Sequence, residues 1–156
     1  MRRAIRSIAI FLPAAIVTLT AIAAICGAQC AQAAGTEQQR SVWDGVYTPE
    51  QVKRGNAVYT QACALCHGPA LAGGEAPPLT GADFLAQWYG YSAGDLFERI
   101  RSTMPVQGPG SLSAQEYADV LAHILSINNF PAGKSELEGL RNPLQRIRIE
   151  AARPRP

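Results

Sequence analysis

A chain of 156 residues suggests a single domain, and nothing along it indicates internal repeats or a second one. The formal net charge of +2 conceals a split. Residues 41–131 carry four basic side chains against eight acidic ones, while residues 134–156 carry six against three. The acidic centre offers no basic footprint for nucleic acid, and a charge-asymmetric end reads as a contact arm or a solvated tail.

The start of the chain looks like an export signal. Arg2, Arg3 and Arg6 precede an almost wholly apolar run at 8–25, and Ala31-Gln32-Ala33 offers the small-x-small pattern of a cleavage site. The expectation is a signal peptide over 1–33 and a periplasmic protein. The apolar run is longer than the usual ~7 to 15 residues of such a leader, so an uncleaved membrane anchor stays open as an alternative. Cleavage after Ala33 would remove Cys26 and Cys30 and leave Cys63 and Cys66, too few for a structural disulfide beside any other use of the pair. Neither leader cysteine is directly preceded by the small residue expected at a lipidation site, since Ile25 and Gln29 stand there.

Residues 34–47 read as an N-terminal arm, with Trp43 and Tyr47 packing on the surface of a domain that spans 48–131. Thr48-Pro49-Glu50-Gln51 marks a helix start, with Thr48 as N-cap, Pro49 at the first helical position and Gln51 completing a capping box. Val52, Gly55 and Tyr59 continue it as one face to about residue 60, and Gly55 points to a close helix crossing. Residues 68–81 hold many glycines and prolines and predict a loop. Short helices follow over 83–88 and from Ser92 to about 101, then a second Gly- and Pro-rich stretch after Met104. Ser113 and Glu116 form another capping box, and Tyr117, Val120, Leu121, Ile124 and Leu125 predict a helix that ends near Asn128. It must bury its face, and the first helix is the expected partner. Residues 132–156 read as an extended basic tail, with residues 147–150 alternating like a short strand.

Between the first helix and the first loop stands Cys63-Ala64-Leu65-Cys66-His67, the spacing of covalent c-type haem attachment. On a helical turn, side chains at i and i+3 share a face, so both sulfurs reach the vinyl groups on one porphyrin edge and the histidine projects toward the iron. A zinc half-site would need more ligands than remain, because no cysteine follows position 66. A thioredoxin-type dithiol would need alternating strands and helices that the sequence lacks. For a sixth ligand the chain beyond the leader offers Met104, in an irregular segment stiffened by Pro105, and His123, on the edge of the last helix's apolar stripe. An open iron site is the third possibility.

This ordered set, a leader, the haem motif, a late Met-Pro and helices at both ends, resembles the class I cytochromes c of bacteria over residues 48–129. The resemblance implies a small all-α fold around one covalent haem c, with His67 and Met104 as axial ligands. It further implies that the Pro77 carbonyl accepts from the His67 imidazole, that Leu79 packs on the ring and that Trp88 is an aromatic near a propionate. Gly55 and Tyr59 match the family's contact with the C-terminal helix. At His123 the sequence departs, since family members often carry an aromatic there. A narrower likeness covers residues 41–137: Ser41-Val42-Trp43-Asp44-Gly45-Val46-Tyr47, Gly108-Pro109-Gly110-Ser111-Leu112-Ser113 and Phe130-Pro131-Ala132-Gly133-Lys134 are similar to cytochromes associated with quinoprotein (pyrroloquinoline quinone) dehydrogenases. That likeness implies an electron carrier without substrate chemistry of its own, with a quinoprotein dehydrogenase as donor and an oxidase or another cytochrome as acceptor. The rival is a haem subunit or a ligand-binding haem protein with a labile sixth ligand.

Overall fold

The computed structural model describes residues 38–155. The expected leader at 1–33 lies outside the described residues, as do Cys26 and Cys30. In chain order the elements are β1 (Arg40–Ser41), a 3-10 turn (Val42–Asp44), α1 (Pro49–Ala62), α2 (Ala64–His67), α3 (Gly81–Trp88), α4 (Ala93–Thr103), α5 (Ala114–Ile127), α6 (Arg141–Leu144) and β2 (Ile147–Arg148). The all-α class holds, with one parallel pairing of two residues per strand, β1 on β2, added at the edge. No described helix is long and apolar enough to cross a membrane.

Helices α1 and α5 cross closely, and one residue permits it. A Cβ on Gly55 would lie 1.8 Å from the Asp119 carbonyl oxygen and 3.1 Å from the His123 Cβ, so only glycine allows the two backbones this approach. Thr48 caps α1 by accepting from the Gln51 N–H at 3.1 Å. The Gln51 side chain does not close the box in return. It is fully buried and donates to Asp119 at 3.0 Å and to the Leu137 carbonyl at 2.9 Å, while its own oxygen accepts from the Leu137 N–H. A buried amide with these three partners has more to lose than a helix start has to gain. At the start of α5 the box is complete, with Ser113 and Glu116 each serving the other's backbone.

Two readings of the ends need correction. Residues 41–47 are part of the core rather than a surface arm: Val42, Val46 and Tyr47 are buried, and Trp43 meets Phe130 edge-on at 5.0 Å between ring centroids. Nor are residues 132–156 an extended tail. Leu137, Leu144, Ile147 and Ile149 are buried, α6 packs on α4, and the Ile149 N–H donates to the Tyr91 carbonyl at 2.9 Å. Four apolar side chains spread over thirteen positions gain more from cover than the neighbouring arginines gain from hydration, provided the charges stay at the rim. Helix α5 is buried at every position from Tyr117 to Leu125, and not on one stripe alone, with Asp119 and His123 on the side that α1 crosses.

Asp119 is the buried charge at the crossing. It pairs with Arg54 at 2.8 Å and also accepts from Gln51 and Gln115, at 3.0 and 2.9 Å. Burial works against its charge, but the hydrogen bonds from Arg54, Gln115 and Gln51 outweigh that and hold the carboxyl below its ordinary range. Arg54 extends to Glu136, also at 2.8 Å, so one guanidinium fastens α1, α5 and the returning chain together.

Candidate haem site

Helix α1 ends where its last turn delivers Cys63, whose N–H still donates to the Tyr59 carbonyl at 2.9 Å. The single turn α2 follows, and the N–H of His67 reaches back to the Cys63 carbonyl at 3.0 Å. This turn brings both thiols and the imidazole to the wall of one cavity of about 480 Å³. The rest of its lining is largely apolar, with Leu79, Trp88, Leu96, Ile100, Val120 and Ile124. Met104 also lies on the wall. The cavity therefore gathers Cys63, Cys66, His67, Pro77, Leu79, Trp88 and Met104 from four separate stretches of chain.

The imidazole is oriented by the loop. His67 Nδ1 donates to the Pro77 carbonyl at 2.8 Å, which fixes the tautomer and leaves Nε2 as the nitrogen with a lone pair for a metal. Although irregular, the 68–81 loop is held by bonds back to the motif: the Gly73 N–H to the His67 carbonyl at 2.9 Å, and the Ala76 N–H to the Cys66 carbonyl at 3.0 Å. Leu71 is fully buried in the left-handed region at φ 59°, a conformation its burial must offset. Burial pushes the Cys63 thiol up to about 11, with the nearby Cys66 sulfur a smaller cause, so the free side chain is a neutral thiol in an apolar wall.

Two positioning residues were not legible in the sequence. Tyr117, read only as part of an apolar stripe, donates its hydroxyl to the Met104 carbonyl at 2.8 Å, while the Met104 N–H donates to the Ile100 carbonyl. Both backbone groups of Met104 are thus pinned. Asn128, read as a helix stop, donates to the Leu79 carbonyl at 2.9 Å and accepts from the Gly81 N–H at 3.0 Å, tying the loop to the end of α5. The signal that points to such residues is a polar atom beside an otherwise apolar helical face, since a buried hydroxyl or amide must find a partner.

His123 is not on the cavity wall. It is buried at the α1/α5 crossing with its ring 5.3 Å from that of Tyr59, and neither ring nitrogen has a hydrogen-bond partner among the described residues. Burial lowers its pKa. The crossing is polar here in composition but not in bonding.

The residues present fit a haem. Two thiols three positions apart, an imidazole with one nitrogen free, an apolar cavity and a thioether on the same wall form the donor set of a c-type site, and no group of three or more His, Cys, Asp or Glu among the described residues would hold a bare metal ion instead.

Residues 50–124 match the family described as "Cytochrome C oxidase, cbb3-type, subunit III". The search of curated proteins gives no match. Among solved structures, the sulfane dehydrogenase SoxCD from Paracoccus pantotrophus is similar at 19% identity and a TM-score of 0.49, over 68% of this chain and 61% of that one. The matched segment spans the haem motif and the α1/α5 crossing, and with the helical fold it is what a c-type cytochrome domain is built on. Such a domain carries haem c, covalently bound and one per domain.

Proposed function

We propose that the chain is an exported, periplasmic single-electron carrier whose haem is attached through Cys63 and Cys66 and ligated axially by His67 and Met104. The observation that carries this reading is the convergence of His67 and Met104 on one apolar cavity, each with its backbone or ring held by a separate hydrogen bond. When bound, the haem supplies a one-electron couple, and a thioether ligand raises its potential relative to a second imidazole. The chain's own residues do the rest. Pro77 orients the imidazole, Tyr117 holds the methionine loop, and Leu79, Leu96 and Ile100 would give the bound group an apolar surround. Trp88 and Arg99 lie on the same wall, where an indole and a guanidinium suit a propionate-bearing edge.

The exchange face of this reading surrounds the haem motif. Leu65 and Val106 are 88% and 68% exposed, which leaves large apolar groups in water unless a partner covers them. A quinoprotein dehydrogenase as donor and an oxidase or another cytochrome as acceptor fit the likeness of residues 41–137. A second reading, a haem subunit within a terminal oxidase, is favoured by the family matched over 50–124. Two measurements test these. The visible spectrum of the oxidised protein should show the weak sulfur-ligation band near ~695 nm, and Met104→Ala should abolish it; a band retained in the variant overturns the ligand assignment. Native purification should yield a free monomer if the chain is a carrier. Co-purification with oxidase or dehydrogenase subunits at every step would favour the subunit reading.

A further inference from the structure

Four arginines converge on a groove that the haem does not use. Arg40, Arg148, Arg153 and Arg155 line an open concavity of about 940 Å³ that shares no lining residue with the haem cavity. Arg54, Arg101 and Arg141 each have a carboxylate partner, but none of these four forms an ion pair among the described residues. The groove's own carboxylates do not neutralise them. Asp44 accepts from the Ser41 N–H at 2.7 Å, and Glu150 has one oxygen buried with no partner at all. Convergent, unpaired guanidinium groups repel one another, and the arrangement is relieved by an anion supplied from outside.

We propose that this groove seats an acidic, extended segment of a partner protein. Its shape decides against a membrane surface, because a bilayer meets protruding charges and cannot enter a concavity. Its composition supports a polypeptide. Trp43, Pro131 and Pro154 give apolar wall between the arginines, suited to side chains that alternate with carboxylates, and Asp44 and Glu150 would oppose a uniformly anionic surface. Trp43 is itself fixed, with its indole N–H donating to the Glu150 carbonyl at 2.9 Å and its ring against Phe130. The groove is therefore largely preformed, and none of its lining residues belongs to the haem cavity. This inference concerns a binding surface and does not depend on the donor or acceptor proposed above.

The test is calorimetric titration of the haem-loaded protein with a synthetic peptide of about ten residues, alternating Glu with Phe or Leu. Binding should weaken about tenfold in the Arg148→Gln/Arg153→Gln double variant, as expected when charged hydrogen bonds are lost, and fall as salt rises from about 20 to 200 mM. The Lys53→Gln/Arg101→Gln variant, with the same loss of charge outside the groove, should bind as the parent does. The haem spectrum should be unchanged in both variants, showing that each is folded. No binding of the peptide, or equal weakening in both variants, would overturn the proposal. So would phosphatidylglycerol vesicles that bind the protein through these arginines while the peptide does not, because the occupant would then be a lipid surface.

Discussion

The α1/α5 crossing and the haem cavity lie on either side of Tyr59, yet they are closed in different ways. At the crossing, backbone meets backbone at Gly55, and Arg54, Asp119, Gln51 and Glu136 form one network with Gln115 and the Leu137 backbone. At the cavity, two irregular stretches, 68–80 and 104–113, surround space that no side chain fills. The first region is complete as protein, whereas the second is completed by a cofactor. A domain this small has little apolar area to spare, so the cofactor contributes to the fold as well as to the chemistry.

The largest effect should come from breaking the second region. Cys63→Ala with Cys66→Ala removes both attachment points, and the folded yield should collapse; normal amounts of folded, haem-free protein would show that the cavity supports itself. Next is the crossing. Gly55→Ala forces a methyl group against the Asp119 backbone, which cannot swing aside as a side chain would. Denaturant unfolding should show a loss of about 3 kcal/mol, the upper end for overpacking. Met104→Ala should leave the fold and the covalent haem intact while opening the iron. Imidazole or carbon monoxide should bind more readily and the potential should fall. If His123→Ala produced those changes instead, the ligand would be misassigned, although His123 stands off the cavity wall.

The smallest effects concern pH at the crossing. The lowered pKa of Asp119 means that its contribution to stability is present above the ordinary carboxylate range and is lost as pH falls through the folded value. His123 acts over a higher window. Its folded pKa is lowered by burial, so its neutral form costs nothing extra above about 6.5, and stability falls as pH drops below that and the unfolded chain takes up the proton. His123→Leu should remove this upper part of the acid sensitivity. At neutral pH the variant should gain about 1 kcal/mol by deleting a buried, unpartnered ring N–H, read as a rise in the thermal midpoint. A variant as sensitive between pH 6.5 and 5 as the parent would mean that another group titrates there.

The returning chain separates the two regions again. Deleting residues 134–156 to test a charge effect would remove Leu137, Leu144, Ile147 and Ile149 from the core and strip Gln51 and Arg54 of partners. Charge there has to be probed by substitution.

Local spacing and capping chemistry were legible along the chain before any fold was known. Cys63, Cys66 and His67 lie within one turn, so their common direction follows from helical geometry alone. Thr48, Ser92 and Ser113 mark helix starts because the orphan N–H groups they accept from are at most three residues away. The glycine at 55 announced a close crossing because no other residue's absence of a side chain is worth its cost in a helix. Folding settled the matters that depend on contacts between residues remote in sequence. Gln51 left its capping box for Asp119 and Leu137, His123 was withdrawn from the haem, and a run read as an extended basic tail became the cover over α4. In each case a polar or sparsely apolar local pattern carried little weight by itself. The free energy came from burial against partners remote in sequence, which no local pattern encodes.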